Sequence, residues 1–148
     1  MIFIDSSVIV AILKPEPDAR ELVELLEAAP GPFHFSPLVR YEATISLAHA
    51  MARLDAPHCK PTADQIALAH EAVSLLAKEL NLQEVAITDR VGLAALDAGM
   101  RFGKAIGHPA DLNFGDCFSY ACTRIYGLRL LFKGNDFSMT DIANARDP

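Results

Sequence analysis

Short apolar segments alternate with longer amphipathic segments along the chain, and this alternation predicts strands and helices in turn. Apolar runs predict four β-strands, at 2–4, 33–36, 84–87 and 128–132. Apolar residues at helical spacing predict six helices, at 7–13, 18–29, 37–53, 62–80, 89–102 and 116–126. Ile142 and Ala143 predict a short final edge strand. The alternation favours an α/β fold, with helices on both faces of a mostly parallel sheet.

Composition narrows the class of protein without identifying it. The chain has 148 residues, of which 51% are hydrophobic, so we expect one domain over residues 1–148. No apolar run approaches the roughly 18 residues that cross a bilayer, so no membrane association is expected. Three cysteines without paired spacing indicate reduced thiols and a cytoplasmic location. The net charge of -6 argues against a broad nucleic-acid-binding surface, but it leaves room for a local basic rim.

Two carboxylates interrupt otherwise apolar patterns. Asp5 stops the first apolar strand, and the chain becomes apolar again almost at once. Glu42 lies in the middle of an apolar helix face. A buried carboxylate is costly unless it is paired or binds a metal. Ordinary explanations stay open, because Asp5 can cap a helix and Glu42 can turn to solvent or pair with Arg40 or Arg53.

Two further aspartates stand close to predicted element ends. Asp116 opens the sixth predicted helix, where an aspartate also stabilises the helix dipole by about 0.3–1 kcal/mol. Asp136 follows the fourth predicted strand after a Lys-Gly-Asn step, which is also an ordinary turn sequence. Taken alone, neither aspartate requires a functional explanation.

Considered together, the four acids indicate a shared site. The carboxyl ends of parallel strands lie at one edge of a sheet, so we expect Asp5, Glu42, Asp116 and Asp136 to converge there. Clustered carboxylates repel one another and must share protons or hold a cation. Oxygen ligands suit Mg²⁺ or Mn²⁺ rather than zinc, and magnesium commonly shares its coordination with substrate phosphates. The pattern therefore points to phosphodiester cleavage.

Four segments of the chain carry a family resemblance. They are "MIFIDSSVIVAIL", "YEATISL", "HPADLNFGDCFSYA" and "LLFKGNDFSMTDI". In these segments the chain resembles the PIN-domain ribonucleases, and among them the VapC-type toxins of bacterial toxin–antitoxin pairs. The resemblance extends from Met1 to about Ile142, whereas residues 54–80 carry no signature. It implies a three-layer α/β/α PIN-like fold around a mostly parallel sheet, with 1–148 as a single PIN domain.

The resemblance also implies roles for particular residues. Asp5 and Asp116 would be the principal Mg²⁺ ligands, while Glu42 and Asp136 would complete the catalytic cluster directly or through water. Ser6 matches a small hydroxyl position beside the site. The implied activity is an endoribonuclease that cleaves structured RNA, such as tRNA or rRNA, with a carboxylate-held metal and an activated water. Implied partners are a second copy of the chain and a cognate VapB-type antitoxin that blocks the acidic site.

Contacts to RNA phosphates are expected from the rim, because an acidic site repels RNA. The candidates are Arg101, Lys104, His108 and Lys133. For each of them an ordinary solvated side chain is the simpler interpretation.

Other readings of the sequence stay open. The same acids would serve a metal-dependent DNA nuclease or phosphatase, or a catalytically silent module that holds a cation and binds a regulator. Ser6 or Ser7 is expected to cap the first helix, which would leave Asp5 free for the ion.

Overall fold

The computed structural model describes residues 1–146, and a parallel β-sheet lies at its centre. The strands are β1 (Ile2–Ile4), β2 (Phe33–Phe35), β3 (Gln83–Glu84) and β4 (Arg129–Leu131). Their order is β3-β2-β1-β4, and each neighbouring pair is parallel. All three residues of β1 are buried, because β1 lies between two strands and α6 packs against it. The carboxyl ends of β1 and β4 therefore lie next to each other.

Helices complete the α/β/α arrangement that the sequence predicts. Within residues 1–146 they are α1 (Ser6–Leu13), α2 (Ala19–Ala28), α3 (Pro37–Asp55), α4 (Ala63–Glu79), α5 (Asp89–Phe102) and α6 (Phe114–Tyr126). Helix α1 packs against α2 and α3, α3 packs against α4, and α5 packs against α6. Short 3₁₀ helices span Lys104–Ile106 and Asp136–Met139. No helix in this part of the chain is long and apolar enough to cross a membrane.

Side-chain caps explain where most of the helices begin. A side-chain oxygen accepts a hydrogen bond from the first turn of α1, α3, α4, α5 and α6. The capping residues are Asp5, Ser36, Thr62, Thr88 and Asn113. Each such cap stabilises a helix by about 1 kcal/mol. In α4 and α6 the residue at the third helical position, Gln65 or Asp116, returns a hydrogen bond to complete a capping box.

Three predicted elements differ from the structure. Helix α6 begins at Phe114 rather than at Asp116, because Asn113 supplies its cap. The strand predicted at 84–87 is only Gln83–Glu84, since β2 ends at Phe35 and offers no further partner. The predicted edge strand at 142–143 is wrong. In its place Asn144 forms one isolated bridge with Leu130.

Candidate active site

A cleft of about 570 Å³ opens at the carboxyl ends of β1 and β4. One of its walls follows β1 directly, and another follows β4 through Lys133 and Gly134. The cleft is lined by five carboxylates: Asp5, Glu16, Glu42, Asp116 and Asp136. The four acids that the sequence singled out therefore line one cleft, as their placement after strands and on helix faces predicts.

Asp5 is the most firmly held of these acids. Its side chain is only 3% exposed, and its backbone N–H donates to the Leu131 carbonyl at 3.0 Å. The carboxylate accepts hydrogen bonds from Ser119 Oγ at 2.8 Å, from Ser7 N at 3.0 Å and from Ser7 Oγ at 2.6 Å. The expectation that Ser6 or Ser7 caps α1 in place of Asp5 is thus wrong, because Asp5 itself is the cap. Capping and a position in the cleft belong to the same carboxylate.

Glu42 reaches the cleft from α3 by passing close to the first turn of α6. A Cβ atom added at Gly115 would overlap the Glu42 carboxylate, so any larger residue at that position would force the end of the Glu42 side chain to move. Burial, together with the charges of Asp5 and Asp116, raises the pKa of Glu42 to about 7, although a hydrogen bond from Ser6 opposes the rise. Neither salt bridge considered from the sequence forms, since Arg40 instead pairs with Glu84 at 3.0 Å.

Asp116 combines a helix-capping role with a place in the cleft. Its Oδ2 accepts from Asn113 N at 2.8 Å, and its own N–H donates to Asn113 Oδ1 at 3.1 Å. Burial, together with the charges of nearby acids such as Asp5 and Asp136, raises the pKa of Asp116 to about 6, although the hydrogen bond from Asn113 N opposes the rise. The negative charges of neighbouring acids therefore raise the pKa values of both Glu42 and Asp116 within the cleft.

Asp136 and Ser6 occupy the edge and the wall of the cleft. Asp136 is exposed and begins the short 3₁₀ helix after β4, with Phe137 buried behind it. Ser6 lines the cleft at the start of α1 and hydrogen-bonds to Glu42. Both residues therefore lie where the sequence predicts them.

The chemistry of the side chains in the cleft fits a hard divalent cation. Every anionic side chain in the cleft is a carboxylate, and the charges of neighbouring acids add to the rise in pKa that burial causes at Glu42 and Asp116. Among residues 1–146, however, no three His, Cys, Asp or Glu side chains form a ready ligand group. Mg²⁺ in proteins retains several waters and commonly takes only one or two carboxylates directly, so its binding does not require such a group.

Only one of the predicted cationic contacts faces the cleft. Lys133 lines it, but its Nζ is paired with Glu16 and lies 3.0 Å from Asp18 Oδ1. The other candidates are engaged elsewhere. Arg101 pairs with Asp141 at 3.0 Å, Lys104 approaches Asp111 at 3.7 Å, and His108 Nδ1 accepts from Ala110 N at 3.1 Å.

Several residues of the site were not predicted from the sequence. Glu16 enters the cleft from the segment after α1, where a Lys-Pro-Glu-Pro sequence resembles an ordinary linker. Ser119 supports Asp5 from α6, and Gly115 makes room for Glu42. Asn113 had a usable signal, because an Asn followed three residues later by Asp is a capping pattern. The roles of Ser119 and Gly115 depend on contacts distant in sequence and have no local signal.

Comparison with known proteins identifies relatives over nearly the whole chain. The PIN domain family model matches residues 2–143. A VapC ribonuclease of Rhizobium meliloti (strain 1021) is 48% identical over 145 residues, which cover 96% of this chain and 99% of that protein. Ribonuclease VapC30 of Mycobacterium tuberculosis is 37% identical over 147 residues and covers 98% of both chains.

Solved structures share the fold at low sequence identity. The crystal structure of Mycobacterium tuberculosis VapC20, described as a toxin that cleaves the sarcin–ricin loop, has a TM-score of 0.68 at 16% identity and covers 98% of both chains. A toxin–antitoxin complex from Klebsiella pneumoniae has a TM-score of 0.63 at 15% identity, covering 95% of this chain and 93% of that one. At this identity the likeness establishes the fold alone.

Proposed function

Because the chain belongs to the VapC family of PIN-domain ribonucleases, we propose that it is a Mg²⁺-dependent endoribonuclease and the toxin of a toxin–antitoxin pair. The observation that carries the proposal is the convergence of Asp5, Glu42, Asp116 and Asp136 on one cleft. Carboxylates crowded in this way share protons or hold a cation, and a cation held beside a phosphodiester supports its hydrolysis. The proposed substrate is structured RNA, such as tRNA or rRNA, and it implies action in the cytoplasm.

Each acid has a distinct part in the proposed site. Asp5 and Asp116 would hold Mg²⁺, or Mn²⁺ in its place, from two elements that are already fixed by hydrogen bonds. Glu42 and Asp136 would orient the waters around the ion, and Ser6 would orient Glu42. The chemistry that such an ion supplies when bound is activation of a water and stabilisation of charge on the scissile phosphate. Because the cation neutralises the cleft, it also permits the phosphate to approach.

The proposed partners follow from the same family membership. A cognate antitoxin of the VapB type would cover the acidic cleft, and the toxin would itself form a homodimer. Support for an antitoxin comes from the VapC relatives and from a structural neighbour that is described as a toxin–antitoxin complex.

A cleavage assay on the purified protein tests the proposal. We expect structured RNA to be cut in the presence of Mg²⁺ or Mn²⁺, to remain intact with EDTA, and to be cut in preference to DNA of matching sequence. Asp116→Asn should keep the fold, since an amide oxygen can still accept the bond from Asn113 N, but it should lower the cleavage rate by about 10²-fold or more.

The outcomes of this assay separate the competing functions. Undiminished cleavage by the Asp116→Asn variant would contradict the assigned site. Preferential cleavage of DNA would favour a DNA nuclease. Binding of a regulator without cleavage under any divalent metal would favour a silent module. Circular dichroism of the variant checks that its fold is intact.

A further inference from the structure

A second groove adjoins the acidic cleft and shares a wall with it. This α3–α4 groove measures about 490 Å³ and is lined by Arg40, Tyr41, Thr44, Ile45, Ile66 and His70, among others. Tyr41 and Ile45 also line the acidic cleft, and they follow one another at i and i+4 on α3. A polymer bound in the cleft can therefore continue over this wall into the groove.

The two cavities differ in charge. Five carboxylates line the acidic cleft, whereas no carboxylate of residues 1–146 lines the α3–α4 groove, which is mostly apolar. Arg40 and His70 lie in the groove, although Arg40 is partly neutralised by Glu84 and rests over the Phe35 ring at 4.6 Å. Because a polyanion is repelled by the free cleft, its flanking nucleotides are better accommodated on the groove side.

Tyr41 stands at the boundary of the two cavities as an exposed aromatic residue. Its side chain is 64% exposed, although it neighbours Glu42 and lies on the wall of both cavities. A large ring held on a rigid helix offers the flat surface on which an unpaired base stacks.

Thr44 adds an unpaired polar group to the same groove. The residue is 6% exposed, and its Oγ1 has no hydrogen-bond partner within the described residues. A buried hydroxyl without a partner is uncommon, since leaving it unpaired is costly. In the ligand-free chain this oxygen is shielded from solvent, and rotation about the Thr44 Cα–Cβ bond to its other helical rotamer would turn it toward a polar atom of a ligand in the groove.

We propose that the α3–α4 groove is a nucleotide-binding subsite, in which Tyr41 stacks on the base next to the cleaved phosphate and Thr44 hydrogen-bonds to that nucleotide. This inference rests on the proposed ribonuclease function and extends it. The subsite selects RNA in which this base is unpaired, because a base inside a helix cannot reach Tyr41. Tyr41 and Thr44 are thus specificity residues, whereas the acids perform the chemistry.

Binding of a short single-stranded oligoribonucleotide that carries one 2-aminopurine tests this subsite. The Asp116→Asn background prevents cleavage, and the fluorescent base is moved through successive positions. In that background we expect 2-aminopurine to be quenched strongly at one position, as stacking on an aromatic ring requires. Adding Tyr41→Ala should abolish that quenching and weaken binding at least about fivefold, whereas Tyr41→Phe should preserve both.

Two further variants separate a ligand contact from a structural effect. Thr44→Val keeps the side-chain shape and removes the hydroxyl, so it should weaken binding by about two- to tenfold without lowering the melting temperature. Leu68→Ala is the matched control, because Leu68 is a 56% exposed apolar residue on α4 that lines neither cavity. It should leave both quenching and affinity unchanged.

The results distinguish failure of the subsite from failure of the function. If the wild-type protein cleaves RNA with Mg²⁺ but Tyr41→Ala binds and quenches normally, the subsite is overturned and the ribonuclease stands. If the wild-type protein cleaves no RNA, the proposed function fails first. If Tyr41→Ala impairs only inhibition by the antitoxin, the groove docks a protein and the nucleotide subsite is overturned.

Discussion

The floor and the rim of the acidic cleft are built in different ways. On the floor, Asp5 and Asp116 are hydrogen-bonded to buried or capped elements, and Glu42 passes over a glycine that only just admits it. On the rim, Lys133 is held by ion pairs with Glu16 and Asp18. The floor is positioned by hydrogen bonds and close packing, whereas the Lys133 side chain on the rim is positioned by ion pairs. The floor should therefore control the chemistry, and the rim should adjust affinity.

The largest effect beyond the loss of Asp116 is expected at Gly115. Gly115→Ala should lower the cleavage rate by about 10²-fold, because the new Cβ displaces the Glu42 carboxylate and misplacing a catalytic group by about 1 Å has an effect of that size. The free energy of unfolding should change by less than about 1 kcal/mol, since the flexible end of Glu42 can move and alanine favours the helix. Cleavage kinetics and chemical denaturation measure the two quantities.

Gly92→Ala is the matched control for this prediction. Gly92 also lies within a helix, α5, but a Cβ added there meets nothing within 4 Å. This variant should keep full cleavage activity and equal or exceed the wild-type stability. Equal activity of the two alanine variants would mean that the close passage of Glu42 over α6 has no part in catalysis.

An effect of intermediate size is expected on the melting temperature when pH and Mg²⁺ are varied together. In the metal-free protein the pKa values of Glu42, about 7, and Asp116, about 6, lie above their unfolded values. The folded state then binds more protons than the unfolded state, so the stability contributed by these groups is present in acid and is lost as pH rises through about 7. A cation that offsets the repulsion should restore it, and Mg²⁺ should raise the melting temperature more at about pH 8 than at about pH 5.

Thermal unfolding with and without Mg²⁺ at both pH values measures this linkage. Glu42→Gln removes one of the titrating carboxylates and should flatten the pH dependence of the metal-free protein. An equal shift in melting temperature at both pH values would argue against binding of the ion at these carboxylates.

The smallest effect is expected on the rim. Lys133→Met should weaken RNA binding only a few fold, and it should reduce the slope of log affinity against log salt by about 0.7, the value for one contact with a single-strand phosphate. Lys104→Met is the control, because Lys104 lies outside the cleft beside Asp111. A salt titration of RNA binding compares the two variants, and identical slopes would remove Lys133 from the RNA interface.

Much of the floor was accessible from the sequence because its signals are local. Asp5 ends an apolar strand, Glu42 interrupts an apolar helix face, and the segments around Asp116 and Asp136 match a family pattern. The residues of the rim were harder to predict from the sequence, since a lysine or arginine near a motif can adopt many side-chain conformations and can face away from the cleft. Of Arg101, Lys104 and Lys133, only Lys133 faces the cleft, and its partner Glu16 lies in a proline-flanked segment that looked like a linker.

Local sequence patterns establish the alternation of strands and helices, the positions of the acids and the family, because periodicity, caps and motifs are short-range properties. Only the packing of the whole chain shows that Ser119 supports Asp5, that Gly115 leaves room for Glu42, and that Tyr41 separates an acidic cleft from a mostly apolar groove. These contacts join residues far apart in the chain, and they depend on how α1, α3 and α6 pack around the parallel sheet. No local pattern encodes the distance between two helices, so only the folded chain fixes it.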